Sequence, residues 1–483
     1  MIQSVSADLS AAVAPVAHLP GSTRSRDARP LSISPLDRTW SGHWTGAVVT
    51  PIEMPSLPEV RALWRRAIDE NPTMPFACRI DDRSQAWITV PERDRDAFVR
   101  ATVVPIDDPE PDEADSFLAR SMEVLPDGHS TRIGVGRQSL LVLNSHMTGD
   151  AATTSSLIRA LIDLDDAGIA ALAHRADMRT ISTTARALAR TNGRAWLKTA
   201  FGRFGGNGRD KVDAALVPTT EAPSTPARAQ YPRDDEPARP QPGFDDTPAP
   251  TPPRIPDGSR TQVVSVRWSN ADLRQVTRWR NQQPEKVSLT TVLTALTHRT
   301  LVGHGLPLEP DGFYSLYDMR RYLPNPAKGV LLAGNLAKSV RVSADMTNLD
   351  DVHRAGLEVI ESGRPVISTL IGAVANTISR WPRPRRHGAT AVDDSSTVAM
   401  TFNSMPALPG LSGLPWLPGS VRQYVGVGYP AGPGSITVFA MRLREHMQVT
   451  AVFPESLIAI DDMRRALTEI PTAVERLSPP AVS

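Results

Sequence analysis

A proline-rich stretch from Pro218 to Pro256 limits how this chain can fold. Twelve of the 44 prolines fall within these 39 residues, where Tyr231, Phe244 and Ile255 are the large apolar side chains. Such a segment cannot bury enough apolar surface to offset the entropy that is lost when a chain becomes ordered. We therefore interpret residues 218–256 as a linker, so that each flanking part of the chain must build its own core.

The linker divides the chain into regions of different character. Residues 1–30 mix Ala, Ser, Pro and Arg without periodicity, which is typical of a disordered N-terminal tail. Residues 31–217 and 257–483 carry regular apolar patterns and are of similar length. We expect them to form an N-terminal and a C-terminal lobe.

Both lobes mix helical and extended patterns. Apolar residues recur at helical spacing, and short apolar runs typical of buried strands lie between them. The predicted helices are Leu57–Ile68, Ala151–His174, Leu289–Leu301, Ile460–Ile470 and one that begins at Ser269 or Asn270. The predicted extended segments are Phe76–Val90, Ser139–Leu143, Gln262–Trp268, Tyr314–Leu316, Ala337–Val342, Thr397–Phe402, Ser435–Leu443 and Met447–Phe453. The sequence therefore predicts an α/β (α+β) fold class.

Charge and cysteine content exclude several classes of protein. The 53 Lys and Arg nearly balance the 52 Asp and Glu, which argues against a protein that binds nucleic acid by neutralising phosphates. The single cysteine, Cys78, excludes an internal disulfide and a cysteine-based metal site, and we interpret it as a small core residue. No apolar run reaches the roughly 18 residues of a transmembrane segment. Because Met1–Gly21 also lacks the basic start of a secretory signal, we expect a soluble, cytoplasmic protein.

The junction between the strand Ser139–Leu143 and the following helix carries the strongest candidate site. His146 lies in the connection, and Asp150 comes just before the helix, where an N-cap acceptor is favoured. In a chain with ten His and 35 Asp, chance alone supplies such a pair, so the spacing by itself carries no weight. A surface His beside a helix-capping Asp is therefore the alternative interpretation. The position between a buried strand and a long amphipathic helix favours a functional site.

Four segments resemble one family. Residues 145–151, Ser-His-Met-Thr-Gly-Asp-Ala, resemble the His-His-x-x-x-Asp-Gly motif of the chloramphenicol-acetyltransferase-like superfamily, which includes condensation domains of peptide synthetases and wax-ester/diacylglycerol acyltransferases. Residues 30–37 resemble the opening "PLSPLD" segment, residues 317–336 the "R…GN" stretch, and residues 401–404 a strand near the cleft. The resemblance covers roughly residues 30–480. Ser145 and Ala151 depart from the motif's first His and final Gly.

The resemblance implies a fold and a chemistry. Two lobes, each a mixed sheet packed with helices, would enclose a substrate tunnel. An acyl group would pass from a thioester to an amine or hydroxyl acceptor without a covalent enzyme intermediate, with His146 as general base. Asp150 would be structural and pair with Arg320, or alternatively with Arg321. The substrate-binding candidates are Ser145, Gly149, Asn335, Asn403 and Ser404.

The resemblance also implies partners. The donor would be a thioester of CoA or of carrier-protein phosphopantetheine, and we expect no metal or nucleotide cofactor, no nucleic-acid partner and a monomer. The favoured interpretation is a free-standing condensation enzyme or acyltransferase of specialised metabolism, such as nonribosomal peptide or polyketide biosynthesis. The alternatives are a wax-ester/diacylglycerol-type enzyme and a degenerate, non-catalytic module that recruits a partner protein. The basic run Arg380–Arg386 is either a contact for a carrier protein or membrane surface, or an exposed helix end.

Overall fold

The computed structural model describes the chain in several ranges. These are residues 28–81, 86–123, 128–191, 260–283, 285–323, 332–378, 397–405, 408, 410–411, 413–428 and 434–477. Most of the N-terminal tail, the proline-rich linker 218–256 and the basic run Arg380–Arg386 lie outside the described residues. The prediction of a tail and a linker therefore stays a prediction.

The first part of the chain alternates short strands and helices. Its strands are β1 (Pro30–Ser32), β2 (Trp44–Thr50), β3 (Arg79–Asp81), β4 (Ala86–Ile88), β5 (Val103–Pro105), β6 (Thr131–Val135) and β7 (Leu140–Ser145). Its helices are α1 (Pro35–Arg38), α2 (Leu57–Glu70), α3 (Arg95–Thr102), α4 (Ala114–Glu123), α5 (Ala151–Ile162), α6 (Asp166–Ala171) and α7 (Met178–Thr191).

The second part carries the longer strands. These are β8 (Thr261–Ser269), β9 (Gly312–Asp318), β10 (Ala337–Ser343), β11 (Ala399–Met405), β12 (Gln423–Gly428), β13 (Ser435–Arg442) and β14 (His446–Pro454). The helices are α8 (Asn270–Gln282), α9 (Leu289–Gly303), α10 (Leu349–Glu361), α11 (Arg364–Ile378) and α12 (Ile460–Glu469).

Two mixed sheets organise these elements. A five-stranded sheet has the order β12-β2-β7-β6-β5, and a six-stranded sheet has the order β10-β9-β11-β13-β14-β8. Both sheets contain parallel and antiparallel pairs, and helices pack on both. A small third sheet has the order β1-β4-β3, and the Ile80 N–H of β3 donates at 2.9 Å to the carbonyl of Gly128, which precedes β6. The predicted two-lobed fold class is confirmed, while the tunnel between the lobes stays a prediction.

The division at residue 256 does not separate the two sheets. Strand β12 belongs by sequence to the C-terminal lobe, but it pairs antiparallel with β2, with Val425 opposite Val48. The C-terminal ends of β11 and β13 also reach the first lobe, because Met405, Met441 and Leu443 pack in its core. The boundaries of the C-terminal lobe, residues 257–483, stay a prediction, but part of this range completes the first sheet, whose edge beside β2 would otherwise be unpaired.

The long helix expected over Ala151–His174 is broken. Helix α5 ends at Ile162, and Leu164 adopts a positive φ of 51° before α6 begins at Asp166. A left-handed residue is costly for a non-glycine side chain and cannot continue a right-handed helix. The apolar stripe continues across the break, because Leu161 and Leu172 are both fully buried.

A buried seam joins the lobes along α4. Val48, Leu141 and Leu143 of the five-stranded sheet share one apolar cluster with Val263 and Val452 of the six-stranded sheet. The α4 carboxylate Asp115 is buried and accepts hydrogen bonds from the Ser265 backbone N–H and from Arg464, both at 3.0 Å. The two sheets therefore hold fixed positions relative to each other at this seam.

Candidate active site

The connection between β7 and α5 is a tight, buried turn. The Thr148 N–H and hydroxyl both donate to the Ser145 carbonyl, at 2.8 and 2.7 Å, and the Asn144 amide donates to the Thr148 hydroxyl at 2.9 Å. From Ser139 to Asp150 every residue is buried except His146, which is partly exposed. The turn therefore presents one titratable side chain from an otherwise buried segment.

Gly149 has no room for a side chain. A Cβ at this position would lie 2.6 Å from the Cβ and Cγ2 of Thr153, which is closer than real side chains approach. Its carbonyl oxygen lies 3.1 Å from Nδ1 of His146. Gly149 thus acts on the site through its backbone and its small size.

Two groups lie within hydrogen-bonding distance of Nδ1 of His146. The Asn335 amide nitrogen donates to the His146 carbonyl at 2.9 Å and also lies 2.6 Å from Nδ1. Nδ1 faces the carbonyl oxygen of Gly149, which needs a donor. The Gly149 carbonyl can only accept, which favours a proton on Nδ1, whereas the second hydrogen of the Asn335 NH2 group would favour a bare Nδ1. We propose the form with the proton on Nδ1, which the titration and NMR experiments below test. This tautomer leaves a lone pair on Nε2.

Burial keeps His146 neutral. Removal from water lowers the pKa of the imidazole to about 4, and the nearby His43 ring acts in the same direction, while Asp150 and backbone carbonyls only partly oppose this shift. At neutral pH the side chain is therefore present as the free base. A neutral imidazole with an available nitrogen can accept a proton from a bound hydroxyl or amine.

Asp150 makes contacts with both lobes. It is the N-cap of α5 and accepts from the Thr153 N–H at 3.1 Å. Its second oxygen accepts from Arg320 at 2.7 Å and from the Leu336 N–H at 2.9 Å. Burial would raise the pKa of this carboxyl, but the charge and hydrogen bonds of Arg320, with those of the backbone, outweigh burial and lower it. Asp150 is therefore an ionised structural group.

Arg320, and not the neighbouring Arg321, holds this carboxylate. Arg320 also donates to the backbone carbonyls of Leu332 at 3.0 Å and Gly334 at 3.3 Å, whereas Arg321 is exposed and lies over the ring of Tyr322. Burial would lower the pKa of Arg320, but Asp150 outweighs this effect and raises it. The ion pair fixes the segment before β10, which carries Asn335, against the turn that carries His146.

A second ion pair, which the sequence analysis missed, supports the other side of the turn. Arg175 binds Asp37 at 2.7 Å, donates to the Met147 carbonyl at 2.9 Å and also contacts the Thr148 carbonyl. Asp37 lies in the segment 30–37 that was noted for its resemblance, but no local pattern points to Arg175. The turn is thus held between two buried Asp–Arg pairs.

Two aromatic residues from the segment before β2 also approach His146. The Trp40 ring centroid lies 4.3 Å from that of His146, with a 33° angle between the ring planes. The His43 carbonyl accepts from the His146 N–H at 2.7 Å, which extends the β2–β7 pairing by one residue. Neither residue is predictable from the sequence, because nothing local links them to a motif far along the chain.

The other substrate-binding candidates lie inside the turn, in the six-stranded sheet and at a separate cavity. Ser145 is 2% exposed, so its hydroxyl lies inside the turn. Asn403 is partly buried and lies opposite Phe439 in the six-stranded sheet. Ser404 lines a separate cavity of about 530 Å³ whose other walls come from the second part of the chain. Of the five substrate-binding candidates, Gly149 and Asn335 contact His146.

Cys78 is not available as a nucleophile. It is fully buried, and burial raises the pKa of its thiol to about 12.

In the described ranges, no three His, Cys, Asp or Glu side chains form a group that could hold a metal ion. No helix in the described part of the chain is long and apolar enough to cross a membrane.

Solved structures resemble this chain over almost its whole length. The first condensation domain of the calcium-dependent antibiotic synthetase, in complex with a substrate analogue, aligns with a TM-score of 0.51 and 11% identity, covering 93% of this chain and 96% of that one. The TRI3 trichothecene 15-O-acetyltransferase from Fusarium sporotrichioides aligns with a TM-score of 0.52 and 10% identity, covering 94% and 96%. The condensation domain of the Monacolin K polyketide synthase MokA gives 0.51 and 13%, covering 93% and 97%. This chain has the condensation-domain fold.

The predicted resemblance is thereby confirmed for the fold. No protein-family model and no curated protein matches the sequence. At 10–13% identity the likeness shows the condensation-domain fold alone.

The Asp150–Arg320 pair predicts a clear coupling in stability. We expect Asp150→Ala and Arg320→Ala each to lower the free energy of unfolding by about 3–5 kcal/mol, because each leaves a buried charge without its partner. The double variant should lose less than the sum, with a coupling energy of about 0.5–3 kcal/mol. Urea denaturation of the four proteins measures this cycle.

Arg321→Ala is the matched control for that cycle. Its side chain is exposed, so its loss should change the stability by no more than about 0.5 kcal/mol. Strictly additive single variants, or an Arg321→Ala variant as unstable as Arg320→Ala, would contradict the assignment of the pair.

The depressed pKa of His146 predicts an unusual titration. The ring should stay neutral from pH 8 down to about pH 5 and take up its proton near pH 4. Between pH 6.5 and 4 an unfolded chain binds this proton while the folded chain does not, so this group lowers stability as the pH falls through that window. Carbon-13 NMR of histidine Cε1, with the peak assigned from its absence in His146→Gln, tests the shift. A midpoint at 6 or above would contradict it.

Proposed function

We propose that the protein is an acyltransferase that moves an acyl group from a thioester to an amine or hydroxyl acceptor, with His146 as general base. The observation that carries this proposal is the state of His146: partly exposed, neutral, and with Nδ1 directed at a backbone carbonyl. The fold supports it, because its relatives in structure include an O-acetyltransferase by name and several condensation domains.

In the proposed reaction the acyl group passes directly from the thioester to the acceptor, without a covalent enzyme intermediate. His146 Nε2 takes the proton of the acceptor O–H or N–H as the acceptor atom bonds to the thioester carbon. The tetrahedral intermediate then collapses, its carbon–sulfur bond breaks, and the departing thiolate receives the proton from His146. Such a mechanism needs one base with its lone pair free and requires no nucleophilic side chain.

The groups around His146 hold it in position and do not exchange protons with it. Both oxygens of Asp150 accept hydrogen bonds from Arg320, and the carboxylate also caps α5, so it does not serve as a partner for the imidazole. Asn335 and Gly149 hold the backbone and the ring nitrogen of His146 instead. A rigid support of this kind lowers the entropic cost of reaching the reactive arrangement.

The donor is proposed as a thioester of CoA or of a carrier protein. This part of the proposal rests on the resemblance and the fold, and it covers a condensation enzyme of nonribosomal peptide or polyketide metabolism as well as a wax-ester/diacylglycerol-type enzyme. Ser145 and Ala151, which replace the outer residues of the motif, favour a second candidate, a non-catalytic module that binds a partner protein.

Replacing the base separates these candidates. We expect His146→Ala to lower the rate of acyl transfer by about 10²–10⁴-fold, because that is the usual contribution of a general base. The assay follows release of free thiol from a panel of acyl-CoA and acyl-carrier-protein donors, with amines and alcohols as acceptors and mass spectrometry of the products.

His174→Ala is the matched control, since its side chain is exposed. It should keep the wild-type rate. A folded His146→Ala protein that retains most of the turnover would rule out the proposed base, and a wild-type protein that binds a carrier protein but transfers no acyl group would favour the non-catalytic module.

A further inference from the structure

A small apolar cluster connects the three-stranded sheet to the turn that carries His146. We call it the support cluster. Its buried members are Ile33, Cys78, Trp87 and Met147, and Leu31, Trp40 and Ile80 pack against them. Met147 is the residue that follows His146, and Trp40 is the residue whose ring lies on the imidazole. The cluster therefore contacts the site through two side chains at once.

Trp40 is held in place from several directions. Its indole packs on the support cluster, and its carbonyl accepts from the His43 N–H at 3.1 Å. The His43 ring stands nearly perpendicular to the indole, with ring centroids 6.0 Å apart. The His43 carbonyl in turn accepts from the His146 N–H. These hydrogen bonds fix the backbone that carries Trp40 relative to the backbone that carries His146.

The imidazole needs such a neighbour for its orientation. The ring torsion of a histidine has a broad energy profile, so one hydrogen bond at Nδ1 does not fix the plane of the ring. A flat side chain packed at 4.3 Å against the face of the ring restricts that rotation. It therefore limits the directions in which Nε2 can point.

The protonated imidazole also needs a neighbouring group that stabilises its positive charge. When His146 takes a proton it becomes a cation, and the carboxylate of Asp150 is already committed to Arg320, Thr153 and Leu336. The face of an indole carries negative electrostatic potential and attracts a cation, more strongly than the face of a phenyl ring does. Trp40 is thus placed to favour the protonated ring during the reaction.

We propose that Trp40 is a positioning residue for His146, which fixes the plane of the imidazole and stabilises the positive charge that the ring gains during proton transfer. This inference rests on the proposed function. The support cluster holds Trp40 in turn, which gives the three-stranded sheet a role in the site.

Substitutions at Trp40 test the proposal by kinetics. Trp40→Leu should lower kcat by about 10- to 100-fold with little change in KM for the thioester, because misplacing a catalytic group by about 1 Å costs up to 10²-fold in rate. Trp40→Phe, which keeps an aromatic face, should restore most of kcat. Trp416→Leu is the control: Trp416 is a partly buried tryptophan that lies beside Arg422 and packs on the core of the first lobe, and its loss should leave kcat unchanged.

A spectroscopic readout tests the proposal independently of turnover. Nitrogen-15 NMR of His146 should show one tautomer in the wild type and in Trp40→Phe, and a mixture of tautomers in a folded Trp40→Leu protein. An unchanged kcat in Trp40→Leu, a rise in KM instead of a fall in kcat, or a single unaltered tautomer in that variant would each overturn the proposal. If His146→Ala proves fully active, the proposed function fails, while the spectra still decide whether Trp40 orients the ring.

Discussion

The buried ion pair between Asp150 and Arg320 is the interaction on which the arrangement of this site depends. One carboxylate caps α5, pairs with an arginine from the other lobe and accepts a backbone N–H from the segment before β10. These contacts connect the end of β7 to the start of β10, and both elements approach His146. A buried pair of this kind need not make the fold more stable than apolar packing would, but losing one partner is costly. The pair therefore specifies where the two lobes meet.

The same ion pair determines how the histidine must be supported. Because Asp150 is fully used by Arg320 and backbone groups, His146 has no carboxylate of its own. Its ring nitrogen faces a backbone carbonyl, its main chain is tied to Asn335 and His43, and Trp40 covers its face. Burial without a carboxylate partner lowers the pKa to about 4 and leaves a neutral base at physiological pH. Asp150 thus joins the two lobes, while His146, four residues earlier, is the proposed proton acceptor.

The sequence predicts those parts of the molecule that local pattern determines. The strand before His146, the capping position of Asp150 and the helix at Leu57 follow from apolar spacing and cap chemistry, and the resemblance supplied Arg320 as the partner of Asp150. The pairing of β12 with β2 was not predictable, since Gln423–Gly428 contains two glycines and finds its place only in a sheet built from distant segments. Trp40 and Arg175 were missed for the same reason, because their role comes from contacts that no spacing in the sequence reveals.

We propose that His146 is a neutral base with its proton on Nδ1 and its lone pair on Nε2. Nitrogen-15 NMR of selectively labelled histidine at pH 7, with the His146 signals identified from their loss in His146→Gln, measures both the charge and the tautomer. We expect a neutral ring in the Nδ1–H form. A ring protonated on both nitrogens, or one with its proton on Nε2 and the Asn335 amide donating to Nδ1, would contradict it.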